Sequence, residues 1–157
     1  MKKILFMLIA IFGLVGCNND IEWDYYQYSA TFDIVNEDGA HMLDGDENAI
    51  YDVEVIYKGK TYTYQEETRE TSARAFAIRR TSEPNLFNVG EMYWGSSGSF
   101  EIKFRGNSWN VKYETDESSG KRKKDPPVLT SRVWVDDNPP VEGKSIIQLI
   151  YVPVAEE

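Results

Sequence analysis

The sequence predicts an all-β fold, a single antiparallel β-sandwich of immunoglobulin type, and three observations carry that reading. From Tyr28 onward the apolar residues recur with a period of two rather than 3.6. No stretch of twelve or more residues beyond the N-terminal apolar run has helical spacing. Turn signals built from Gly, Asn, Asp and Pro separate eight or nine short strands at intervals of about 8 to 12 residues. A small closed β-barrel has the same alternation and stays open as the alternative.

The strands follow in order. Ser29 to Val35 places Ala30, Phe32 and Ile34 on one side and Thr31 and Asp33 on the other, and Asn36-Glu37-Asp38-Gly39 turns the chain. Asp52 to Tyr57 and Lys60 to Gln65 are β-rich runs joined at Lys58-Gly59, the pattern of a tight hairpin. Arg74 to Arg80 reads as a strand. Thr81 to Gly90, with Pro84 and two asparagines, reads as loop. Glu91 to Trp94, Phe100 to Phe104 and Trp109 to Tyr113 read as three further strands, with turns at Gly95-Ser96-Ser97-Gly98 and Gly106-Asn107. Thr115 to Pro127 is the most polar stretch and reads as an exposed loop. Val128 to Val135 and Ser145 to Val152 are two strong strands around Asn138-Pro139-Pro140. The apolar run Ile146 to Val154 predicts a central strand covered on both faces.

The N-terminus has a different composition. Lys2 and Lys3 precede an apolar run, Ile4 to Val15, that ends at the chain's one cysteine, Cys17. That is the layout of a secretory signal peptide. About twelve apolar residues are too few to cross a hydrocarbon core of about 30 Å, which needs roughly 20. Leu14-Val15-Gly16-Cys17 resembles the bacterial lipobox, which implies cleavage before Cys17 and lipid on its sulfur and new amino group. The expected organisation is a signal peptide over residues 1–16, a lipidated Cys17 and tether over 17–27, and a β-sandwich domain over 28–157. The acids Asp20, Glu22 and Asp24 of the tether resemble the acid-rich tag that directs lipoproteins of the Bacteroides type outward through the outer membrane. A solvated linker with incidental charge reads equally well.

Charge and cysteine count exclude several classes. The 157-residue chain has a formal charge of −9, and loss of Lys2 and Lys3 leaves 15 bases against 26 acids, a charge of −11. So acidic a surface repels phosphate backbones, so nucleic acid is not an expected partner. One cysteine forms no intramolecular disulfide. A membrane is expected to be met through the lipid anchor, since two or more acyl chains hold firmly and one only marginally.

Phe32-Asp33-Ile34-Val35-Asn36-Glu37-Asp38-Gly39, then Met42-Leu43-Asp44, then Lys58-Gly59-Lys60-Thr61-Tyr62, resemble the opening of a group of small uncharacterised outer-membrane lipoproteins of Bacteroides-type bacteria. Trp94-Gly95-Ser96 is similar to a later turn in that group, without the aspartate that follows the glycine there. The resemblance covers about half of the chain. It implies a β-sandwich lipoprotein and no particular chemistry.

Candidate sites are few. Asp44, Asp46 and Asn48 present oxygen ligands at alternate positions, as at the start of a calcium loop. The sixth position is Ala49 and the twelfth Val55, so a solvated acidic turn fits better. His41 is the one histidine and reads as an exposed loop residue without a catalytic partner. With 26 acids no glycosidase pair is singled out by spacing. No nucleophile elbow or phosphate loop is present, so neither an enzyme nor a cofactor is expected. Aromatic residues make up 13% of the chain. Trp94, Trp109 and Trp134 read as core, whereas Tyr25 and Tyr26 suit ligand binding as well as packing. Lys121 to Lys124 reads as a solvated basic loop, with docking of an anionic glycan as the functional alternative. The function expected is a surface binding or interaction module with a glycan or outer-membrane protein partner. A structural envelope component is the alternative, and a glycan hydrolase a further one.

Overall fold

The computed structural model describes residues 28–65, 76–118, 128–143 and 145–154, and within them the chain is a two-layer β-sandwich. The strands are β1 (Tyr28–Asn36), β2 (Val53–Tyr57), β3 (Lys60–Thr63), β4 (Ala77–Arg80) and β5 (Leu86–Met92), followed by β6 (Ser97–Phe104), β7 (Asn107–Ser118), β8 (Val128–Val135), β9 (Val141–Glu142) and β10 (Ile147–Tyr151). One sheet has the order β10-β1-β5-β4 and the other β3-β2-β6-β7-β8-β9. Neither closes on itself, so the sandwich forms and the barrel does not. All pairs are antiparallel except β1 with β10.

Alternation decides what each strand buries. Ala30, Phe32 and Ile34 of β1 turn into the core, as do Val53, Val55 and Tyr57 of β2 and Trp109, Val111 and Tyr113 of β7. Phe32 joins the layers, stacking on Phe87 of its own sheet at 5.7 Å and meeting the edge of Phe100 in the other at 6.1 Å. Lys58 and Gly59 both have positive φ (49° and 74°), the two-residue turn whose twist matches a hairpin. Arg105 and Gly106 do the same (45° and 84°), so the β6–β7 turn falls one residue earlier than the sequence suggested. That releases Asn107, whose carboxamide donates to the Val152 carbonyl at 2.8 Å and accepts from its N–H at 3.1 Å.

Several expectations are corrected. Residues 86–90 are not loop: Leu86–Met92 is the strand between β1 and β4, and Glu91 to Trp94 is not a strand of its own. Leu86, Phe87, Val89 and Met92 are buried, and Asn88 accepts the Thr31 hydroxyl at 2.8 Å, so an apparent loop former serves as a cross-strand partner. Ser97 and Gly98 open β6 instead of closing a turn. A Cβ at Gly98 would lie 2.8 Å from the Tyr113 hydroxyl, so the missing side chain leaves room for the ring of its cross-strand partner. β7 runs on through Thr115 to Ser118 by pairing with β8, which shortens the expected loop from its N-terminal end. Ile147–Tyr151 is an edge strand, paired with β1 alone, and not a central one. Its odd positions Ile147 and Leu149 are buried while Ile146 and Ile150 face out.

Tyr57 and Tyr113 share a buried hydroxyl–hydroxyl contact of 3.0 Å. Burial, reinforced by that bond, pushes the Tyr113 hydroxyl up to about 12, and burial raises Tyr28 as well. The folded chain then holds these protons more tightly than the unfolded chain, where tyrosine titrates at 10.0. The resulting stabilisation is complete below pH about 10 and is lost as pH rises from there through about 12. Urea midpoints measured against pH are expected to fall through that window, and the Tyr113→Phe chain to fall less. An identical alkaline loss in both chains would refute this assignment.

Candidate binding face

The outward face of the six-stranded sheet carries a depression that joins several strands. Register sets its composition. Ser97, Glu114, Arg132 and Glu142 stand opposite one another in one row across β6, β7, β8 and β9. Two residues along, a distance of about 6.7 Å, Ser99, Lys112 and Trp134 form the next row. On the other side Asp116 faces Thr130. The groove there has a volume of about 750 Å³ and is lined by Glu114, Asp116, Thr130, Arg132 and Glu142, with the 95–97 turn at one wall.

Inward-facing hydroxyls hold that wall. Thr115 donates to the Tyr93 carbonyl at 3.0 Å and accepts from the Ser96 N–H at 3.2 Å, and the Ser96 hydroxyl donates to the same Tyr93 carbonyl. Ser131 donates to the Gly143 carbonyl at 3.0 Å, fixing the start of the β9–β10 connection. Thr115 and Ser131 are both buried and both satisfied, so they build the floor, and the exposed polar groups are those of the outward row. In that row Arg132 Nη2 lies 3.2 Å from Glu114 Oε2, with both side chains half-exposed. Its guanidinium also sits 5.8 Å from the ring centre of Trp134.

Trp134 is the residue whose placement the sequence reading missed. Val133 and Val135 on either side of it are buried, so alternation turns Trp134 to the opposite face, where it is half-buried beneath charged neighbours. Trp109 is core as expected, 7% exposed, and Trp94 packs half-buried against the core with its ring 5.3 Å from Tyr28. The indole of Trp134 is a flat apolar surface near the Arg132 guanidinium and opposite Lys112, with the carboxylates of Glu114, Glu142 and Asp116 in the rows beyond. Carboxylates and guanidinium groups offer paired acceptors and paired donors, the geometry that vicinal hydroxyls match, while an indole face takes an apolar C–H surface. A polyhydroxylated ring has both.

The other candidates fall elsewhere. Cys17, Tyr25, Tyr26 and Lys121 to Lys124 lie outside the described residues. Asp46 is occupied, its Oδ1 accepting the Asn48 N–H at 3.0 Å and its Oδ2 lying 3.2 Å from Arg105 Nη2. Asp44, Asp46 and Asn48 thus belong to a turn braced by Arg105, which also reaches Asp52 at 2.7 Å. Among the described residues no three His, Cys, Asp or Glu side chains are grouped to hold a metal ion. His41 is an exposed loop residue as expected, and it has partners: its Nδ1 lies 2.9 Å from the carboxylate of buried Asp33 and 3.2 Å from Asn85 Nδ2. These partners pin the 40s loop to β1, and the ring, 43% exposed, faces a carboxylate and a carboxamide.

Comparison with protein-family models, curated proteins and solved structures found no match. Among the described residues no helix is long and apolar enough to cross a membrane.

Proposed function

We propose that the protein is a lipid-anchored outer-membrane lipoprotein that binds glycans on the outward face of its six-stranded sheet. The observation that carries the reading is the placement of Trp134 beside the groove of Glu114, Asp116, Arg132 and Glu142. The lipobox-like Leu14-Val15-Gly16-Cys17 supports the anchor, and the resemblance to small Bacteroides-type lipoproteins supports the setting. Ten residues separate Cys17 from Tyr28, a reach of at most about 35 Å when fully extended. A body on so short a tether meets sugars of the cell's own envelope or sugars delivered to it.

Three carboxylates in one groove also raise a hydrolase reading, since glycosidases use a pair of acids across the scissile bond. Against it, the Glu114 carboxylate is already engaged by Arg132 Nη2 at 3.2 Å. A glycan array probed with the mature lipoprotein, followed by a reducing-sugar assay on whatever is retained, separates the two. Retention without sugar release supports the binding reading. Sugar release would replace it with hydrolysis, and an array with no retained glycan contradicts both.

A further inference from the structure

β10 is an edge strand, and among the described residues its outer side is unpaired. Residues 145–154 contain no Asp, Glu, Lys or Arg, in a chain of which 27% is charged. Sheet edges that face water are ordinarily guarded by charge, by bulges or by a covering segment, because their unpaired N–H and C=O groups template another strand. Here the strand carries no such charge, and among the described residues no strand pairs with its outer side. Its outward side chains Ile146, Ile150, Val152 and Val154 are between 48% and 61% exposed and form a stripe along one face. The far end is held in place, since Val152 is clamped by Asn107 and the ring of Tyr151 meets Phe104 at 5.6 Å. The edge is therefore presented as a fixed strand.

We propose that β10 pairs antiparallel with β10 of a second copy of this chain, about a two-fold axis through Gln148. Two arguments favour a copy over a foreign strand. The first is self-complementarity. With Gln148 opposite Gln148, Ile146 of each copy faces Ile150 of the other on the outward side and Ile147 faces Leu149 on the inward side. Apolar then meets apolar throughout, and the central carboxamides can donate to and accept from each other. Moving the axis to Leu149 sets Gln148 against Ile150 and loses this match. The second is charge. Two copies of an acidic chain at −9 repel over most of their surfaces, and the uncharged edge is where they approach without that penalty. An isologous contact closes on itself and yields a dimer with one continuous eight-stranded sheet. The strip is short compared with interfaces of about 1,200–2,000 Å², so the pairing is a reversible one.

The test is thiol crosslinking in cells producing the full chain. Gln148→Cys treated with a short bis-maleimide is expected to yield a covalent dimer, and Lys60→Cys, exposed at the start of β3, to stay monomeric. Adding Ile150→Lys to Gln148→Cys introduces a charge on each side of the axis and is expected to abolish the dimer. Ile150 is half-exposed, so that substitution leaves the core untouched. A Gln148→Cys chain that stays monomeric overturns the proposal, as does equal dimer from Lys60→Cys, which marks random collision. A crosslink to a different protein assigns the edge to a foreign strand and overturns the second copy.

Discussion

Phe32→Ala is expected to lower the unfolding free energy by about 3–5 kcal/mol, read from urea denaturation of the protein. The ring is fully buried, and the contacts it loses span both layers: Phe87 within its own sheet and Phe100 across the sandwich. Removing it leaves a cavity where the sheets meet, in a β framework that cannot collapse without moving a central strand. Against a total stability of about 5–15 kcal/mol for a domain of this size, that loss brings the chain near its unfolding threshold. Ile150→Ala removes about half as much hydrocarbon, from the exposed edge, and is expected to stay within about 1 kcal/mol of the parent, because that side chain is half in water already. Comparable losses from both would mean that the Phe32 contacts do not hold the layers together.

Trp134→Ala is expected to weaken glycan binding by about ten- to a hundred-fold, or about 1.4–2.8 kcal/mol, while leaving the unfolding midpoint close to the parent's. The indole lies on the solvent side of β8, so its loss opens no core cavity, and the flat surface it offers has no substitute in the row containing Ser99 and Lys112. Trp109→Ala should do the reverse. That side chain turns into the sandwich, and its truncation is expected to cost about 3–5 kcal/mol of stability. The pair of variants separates a recognition residue from a packing residue of the same type. If Trp134→Ala binds as tightly as the parent, recognition lies outside this face.

The sandwich was legible because its strands are locally consistent. Ala30, Phe32 and Ile34 alternate with Thr31 and Asp33, and Lys58-Gly59 is a turn by its own conformational preference. What failed to show was pairing at a distance. Pro84, Asn85 and Asn88 suggested loop, yet β5 is held by β1 and β4 on either side, and tertiary pairing outweighs local composition there. Ile146 to Val154 has the composition of a central strand, but sheet order is not encoded in a strand's own periodicity, and the outward aliphatics face solvent. Trp134 was legible in principle from the alternation of Val133 and Val135, and its size drew it toward the core in the reading. The groove was not legible at all, since Ser97, Glu114, Arg132 and Glu142 become one row only through the register of four strands.

The most direct measurement follows the indole N–H signals of the ¹⁵N-labelled protein while the glycan retained on the array is added. The chain has four tryptophans, so each signal can be assigned by single substitution. A glycan docked in the groove shifts the Trp134 signal in a saturable way and leaves that of the core residue Trp109 where it was. A saturable shift at other tryptophans with Trp134 unmoved, or binding with no indole signal displaced, would contradict recognition on the outward face of the larger sheet.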